Sequence, residues 1–324
     1  MTKPSSTKSA FWLVPLLTSL AMLLAFFLGP VFPHLESVLK PYAKYNLCVL
    51  LLINVLHINY RSLTKVLLHH PALLGYAILV KNILLPVVAF AACYLIWPAA
   101  LPAAVLISGI SSGFSAVSFA FLLRLAPERN LLITMGASFL VPFSLPFLLY
   151  ALTGSGVEID LLGMMLQTCW MVFVPMLLER ILYFTSRFFH GWLKAHSPVI
   201  VAINLSVTAF ILMLTGQGIL RRMAGDFGYI LLFAIFMVVL IYVFTLLFFC
   251  RATRDTQMVM LIANLVSNTG MGAVLALDYM SDLTLAIAIV HGILWNMNII
   301  FLRIWPPLHR RLGLWFGTSA KDLL

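Results

Sequence analysis

The chain has 324 residues, 63% of them hydrophobic and only 9% charged, with a mean hydropathy of +1.07. Soluble domains carry far more charge, so the composition excludes an ordinary soluble protein and points to a polytopic membrane protein. The net charge of +10 sits in short loops between apolar runs, which suits anionic headgroups and orientation signals rather than a nucleic-acid surface.

In chain order, residues 1–10 read as a short polar cytoplasmic tail carrying Lys3 and Lys8. The run Phe11–Leu28 is too long for a signal-peptide core and has no convincing cleavage site, so it reads as a retained first span. About ten segments have the length that crosses a hydrocarbon core. They fall near 11–30, 38–58, 71–97, 101–123, 130–153, 159–179, 197–219, 226–250, 257–280 and 283–305, and 306–324 form a C-terminal tail.

Loop charges support this division. With the N-terminus in the cytoplasm, the inner segments collect Lys3, Lys8, Arg61, Lys65, Arg124, Arg129, Arg180, Arg187, Lys194, Arg251, Arg254, Arg303, Arg310, Arg311 and Lys321. The outer loops collect only Lys40, Lys44, Arg221 and Arg222. The positive-inside rule then places both termini in the cytoplasm. An even split gives two blocks of about five spans, 11–153 and 159–305. An odd number of spans per block makes the second block run in the opposite sense, the topology of an inverted repeat.

The third span contains Lys81, about ten residues from either end of Pro71–Pro98. At roughly 1.5 Å per residue this is mid-bilayer, where a charge is expensive and marks a functional position. A lysine that snorkels or pairs only structurally is the plain alternative, but its stem is short for reaching an interface.

Span four contains Ser108-Gly109-Ile110-Ser111-Ser112-Gly113-Phe114-Ser115, and span nine contains Asn264 and Ser267-Asn268-Thr269-Gly270-Met271-Gly272. Each is the fourth span of its block. Gly adds backbone freedom, and Ser, Thr and Asn offer competing local hydrogen bonds, so both clusters disfavour a regular helix. Paired interruptions at matching positions point to broken helices that build a transporter site. Close helix packing through small residues is the alternative for either cluster alone.

No enzyme constellation is present. The acidic residues fall at span ends or in loops, and HExxH, GxSxG and phosphate-cradling patterns are absent from the sequence. The chain therefore reads as neither an enzyme nor a cofactor protein. Adjacent His69 and His70 do not share a helix face, and Cys48, Cys93, Cys169 and Cys250 form no CxxC pair, so no metal site is expected. His291 lies about nine residues into the last span and reads either as a proton-linked group or as a neutral histidine bonded to a neighbouring helix. Asn296 and Asn298 lie deeper in that span. Trp12, Trp97, Trp192 and Trp305 read as interfacial anchors. Pro86, Pro142, Pro146 and Pro175 read as helix kinks.

These residues resemble the bile acid:sodium symporter family. Ser111-Ser112-Gly113-Phe114-Ser115-Ala116-Val117 resembles the family's Pro-Gly-Gly-x-x-Ser-Asn stretch. Val141-Pro142-Phe143-Ser144-Leu145-Pro146 is similar to its Ala-Pro-x-x-x-Pro pattern, and Ser267-Asn268-Thr269-Gly270 to its Gln-Asn-Ser-Gly motif. Trp295-Asn296 stands where the family often has His-Asn. The resemblance implies an all-α fold of ten helices, with a core of helices three to five and eight to ten and a panel of helices one, two, six and seven. Substrate would bind between them beside the crossing of broken helices four and nine.

The departures from the family are concentrated at its sodium ligands. Ala116-Val117 replace Ser-Asn, Ala263 stands for a Glu, Ser267 for a Gln and Lys81 for a Gln. Thr134 is kept, with Asn130 one turn before it. A shifted register in helix nine would instead put Asn264 in the Glu position. Methyl and isopropyl groups do not coordinate a hard cation, so the charge of Lys81 is expected in the place of sodium.

The sequence thus reads as a bacterial inner-membrane secondary transporter of a small or amphipathic organic anion, working by alternating access without conventional sodium coupling. The expected binding residues are Lys81, Ser111, Ser112, Gly113, Ser115, Asn130, Thr134, Asn264, Ser267, Asn268, Thr269 and Asn296, with Lys81 and His291 as proton-linked candidates. The alternatives are an auxin-efflux-type anion carrier and a non-transporting receptor or channel on the same scaffold.

Overall fold

A computed structural model describes residues 7–56, 68, 71–113, 116, 127–154 and 160–294. Among these the protein is all-α. The helices are α1 (Thr7–Leu28), α2 (Pro33–Leu39), α3 (Tyr42–Val55), α4 (Pro71–Leu79), α5 (Leu85–Ile96) and α6 (Leu101–Gly109). They continue with α7 (Pro127–Thr153), α8 (Leu161–Thr185), α9 (Arg187–Arg222), α10 (Phe227–Phe248), α11 (Arg254–Leu265), α12 (Thr269–Tyr279) and α13 (Asp282–Leu294). Five helical segments are long and apolar enough to cross a membrane: Leu74–Ile96, Arg129–Thr153, Leu161–Thr185, Arg187–Arg222 and Ala224–Phe248. Leu95, Phe147, Phe184 and Leu232 are among many large apolar side chains left exposed, surface that lipid tails suit and water does not.

Local chemistry fixes the helix ends. Asp160 caps α8 by accepting from the Gly163 N–H at 2.8 Å, and Ser186 caps α9 from the Phe189 N–H at 3.3 Å. Thr253 caps α11, and Asn268 caps α12 by accepting from the Met271 N–H at 3.3 Å. Between α4 and α5 the chain makes a π turn, Val80–Leu84, closed by the Leu85 N–H on the Val80 carbonyl. Pro86 explains its place. Proline cannot donate to the carbonyl four residues back, and its ring crowds that oxygen. One wide turn relieves the clash and lets the helix run on.

The long α9 begins well before the expected span at 197–219. Arg187, His190 and Lys194 are compatible with a helix that continues beyond the apolar stretch, and Ser186 supplies its start.

The helices pack in two groups. One contains α1, α3, α8 and α9, with α9 against both α1 and α3. Asn46 and Asn204 stitch α3 to α9, bonding at 2.8 Å side chain to side chain and at 2.9 Å to the Asn204 carbonyl. The other group contains α4 to α7 and α10 to α12, with α6 against α5 and α7, and α11 against α7 and α10. Buried residues of α13, such as Ala286 and Ile287, join the main apolar core. The groups meet where α3 and α9 touch α12 and where α8 touches α7.

Candidate functional site

Two interruptions face each other at the centre of the second group. After α6 ends at Gly109, Ile110 turns extended, with ψ of 148°. After α11 ends at Leu265, residues 266–268 separate it from α12. The two breaks form a short antiparallel pairing between Ser112 and Ser267. The Gly113 N–H donates to the Val266 carbonyl at 2.7 Å, and the Asn268 N–H donates to the Ser111 carbonyl at 2.9 Å. Backbone groups freed where a helix ends in an apolar interior need internal partners, and each segment supplies them to the other. The Ser112 hydroxyl adds a bond to the Ala263 carbonyl at 2.5 Å.

Lys81 projects from the π turn into this crossing and is fully buried, 0% exposed. Its ammonium donates to the Asn264 carbonyl and to the Ser267 hydroxyl, each at 3.2 Å. The Asn264 side chain turns away and donates to Thr245 on α10 at 3.0 Å. Among the described residues no carboxylate pairs with Lys81. A buried cation held only by neutral oxygens keeps an uncompensated charge, which a bound anion would balance.

Other buried oxygens lie on α7 and beside the two breaks. Asn130 on α7 donates to the Val259 carbonyl at 3.1 Å, and its own carbonyl oxygen has no protein partner. The hydroxyls of Thr134 and Ser111 and the side-chain oxygen of Asn264 are likewise unpartnered. A narrow cleft lies at the junction of the two helix groups, with Leu51 and Val55 of α3 and Met176 of α8 on one side and Ser111, Asn268 and Met271 on the other. It is small, with ≈ 10 Å³ open to the centre of a water molecule.

Of the residues singled out from sequence, Lys81, Ser111, Ser112, Gly113, Asn264, Ser267 and Asn268 come together at the crossing. Asn130 and Thr134 lie buried on α7 without bonding Lys81. Thr269 and His291 line a second cavity, with Ser267 between it and Lys81. Ser115, Val117, Trp295, Asn296 and Asn298 lie outside the described residues. Ala116 and Ala263 are fully buried and carry no side-chain oxygen. Sequence reasoning missed Asn82, whose amide donates to the Ala137 carbonyl at 2.9 Å, and Thr245, which holds Asn264. Asn82 sits beside Lys81 in an apolar run, a signal that was there to be used. Thr245 lies alone in the apolar α10, and nothing in the sequence connects it to α11.

Near the start of α9, Glu179 of α8 is buried, 3% exposed. His190 approaches it at 3.2 Å and Arg180 at 3.7 Å. At the far end of the helices, Gln167 of α8 donates to Asp278 at 2.7 Å and accepts from the Tyr279 hydroxyl at 2.7 Å. Arg222 of α9 pairs with Asp282 of α13 at 3.0 Å. These bonds cross from one helix group to the other. The free cysteines among the described residues are Cys48, Cys93, Cys169 and Cys250. Among the same residues no group of His, Cys, Asp or Glu is placed to hold a metal. In comparisons with known proteins, no family model and no curated protein matched the chain.

Proposed function

We propose that the protein is a secondary transporter of a small or amphipathic organic anion, with ten spans in two inverted five-helix repeats like the bile acid:sodium symporters. The observation that carries this reading is the ammonium of Lys81, held at 3.2 Å by Asn264 and Ser267 where the chain after α6 pairs with the break between α11 and α12. Paired broken helices are the hallmark of a transporter site, and the cation supplies a charge for an anion.

Further support comes from the packing. The helices α1, α3, α8 and α9 correspond to the panel that the family resemblance implies, and the remaining group to its core. The cleft between them, with Ser111 and Asn268 on its wall, is where substrate binds in this reading. Alternating access is a rocking of one group against the other. The Gln167–Asp278 and Arg222–Asp282 contacts then hold the external ends together and part when the site opens outward. The positive-inside pattern supports cytoplasmic termini and a bacterial inner-membrane location.

Sodium coupling is not part of the proposal. A hard cation needs several oxygen ligands. Here Ala116 and Ala263 offer none from their side chains, and the Ala263 and Asn264 carbonyls already accept from Ser112 and Lys81. The test is uptake of organic anions into proteoliposomes, the anions chosen by thermal-shift screening of the purified protein, in sodium and in choline at matched ionic strength. Saturable uptake that is equal in both salts is expected. Failure of every stabilising anion to be transported, or flux that requires sodium, would reject the reading.

A further inference from the structure

His291 is almost wholly enclosed, 2% exposed, and both of its ring nitrogens lack a hydrogen-bond partner among the described residues. A buried polar group without a hydrogen bond is costly, so a ring with two such atoms needs an explanation. The ring lines a cavity that shares no lining residue with the cleft described above. Ser267, Thr269 and Gly272 line it on one part, and Leu106 and Ile107 of α6 with Ile110 just past its end on another. In it ≈ 10 Å³ is open to the centre of a water molecule, the room of one water. Such a water has the polar neighbours it needs in His291, Ser267 and Thr269.

Ser267 is the link. Its hydroxyl accepts from the Lys81 ammonium at 3.2 Å, donates toward the Asn264 carbonyl at 3.3 Å, and borders the His291 cavity. We infer that Lys81, Ser267, one cavity water and His291 form a relay in which the lysine and the histidine share a single proton.

Its balance is simple. A Lys81 N–H proton passes to the Ser267 oxygen as the serine's own proton passes to the water, and a water proton passes to a ring nitrogen. Lys81 is left as a neutral amine and His291 as an imidazolium, so the charge moves across the crossing and none is created. The Ser267 hydroxyl turns from the Asn264 carbonyl toward the cavity to donate. Two cations this close in a dry interior would repel strongly, which favours one proton over two. No other titratable group faces the pair among the described residues. The elements α6, α12 and α13 bring Leu106, Ile107, Ile110, Thr269, Gly272 and Ala288 to the ring. At Lys81 the contacts are the neutral Asn264 carbonyl and Ser267 hydroxyl, and the Asn264 side chain is held in turn by neutral Thr245 of α10.

The relay stands apart from the transport reading; only its use as a coupling proton rests on that reading. The test is nitrogen NMR of histidine-labelled protein in lipid nanodiscs, with the His291 signal assigned by its loss in His291→Gln. In the wild type the ring signal should be an average of neutral and protonated forms over a broad pH range. Lys81→Met should give the ring a simple full titration of its own. Ser267→Ala should abolish the averaging, and Ser267→Thr, which keeps the hydroxyl and guards against misfolding, should restore it. A ring that stays neutral and identical in wild type, Lys81→Met and Ser267→Ala would overturn the relay. Anion uptake measured on the same preparations separates the two ideas. Averaging without uptake retains the relay and rejects transport, and uptake without averaging does the reverse.

Discussion

Glu179 and Lys81 are both buried, 3% and 0% exposed, yet they are held in different ways. Glu179 has charged or chargeable partners on the protein itself, His190 at 3.2 Å and Arg180 at 3.7 Å. It sits where α8 turns into α9, and the sharp corner at Ser186 brings His190 back against it. Among the described residues Lys81 has only a carbonyl and a hydroxyl. A charge whose balance is built in is a structural tie. In the transport proposal, a charge whose balance is missing is the one that receives an anion, which offsets its burial cost.

The largest break in this contrast is Lys81→Glu. It would set a carboxylate against the Asn264 carbonyl with no donor to replace the ammonium, at a cost of about 3–5 kcal/mol. The variant should fail to give a monodisperse protein on size exclusion, whereas Lys81→Met should behave as wild type. A well-folded Lys81→Glu would mean that the crossing is more open to water than its burial indicates.

Glu179→Gln should act on stability alone. Loss of the charge weakens the contacts to His190 and Arg180 by about 1–3 kcal/mol, and the thermal midpoint should fall while anion flux per folded molecule stays within about twofold of wild type. A large loss of flux at unchanged stability would place Glu179 among the functional charges and remove the contrast.

Arg222→Ala should be smaller still in stability. Its pair with Asp282 is exposed on both sides, 68% and 62%, so it contributes about 0.2–1 kcal/mol. Its effect should appear in access instead. A cysteine placed at Ser111 should label faster from outside in Arg222→Ala than in the wild-type background. Equal labelling rates would show that the contact does not restrain the external side.

The fold was legible where chemistry repeats along the chain. Apolar run lengths marked the five helical segments long enough to cross a membrane, and the polar clusters around Ser111 and Ser267 marked the places where α6 and α11 end. Lys81 stood out because a charge in the middle of Pro71–Pro98 has few innocent explanations. Asn264 and Ser267 were legible as candidate partners because they are polar in an apolar span. What holds the breaks together was not legible. The Gly113–Val266 and Asn268–Ser111 bonds run between backbone groups, which every sequence possesses. The π turn at Val80–Leu84 follows from Pro86, but Pro86 by itself reads equally well as a kink. Glu179 looked like a charge at the end of a span, because the apolar pattern stops before the helix does at Thr185.

The central claim of the transport proposal is that Lys81, in its protonated form, supplies a positive charge to an anion where the related symporters would hold sodium. It is tested most directly by titrating one stabilising organic anion into purified wild type and Lys81→Met by calorimetry, in sodium and in choline. The account predicts wild-type binding that is equal in the two salts, and at least about tenfold weaker binding in Lys81→Met in both, equivalent to about 1.4 kcal/mol or more. Equal affinity for wild type and Lys81→Met, or wild-type binding that appears only in sodium, would contradict it.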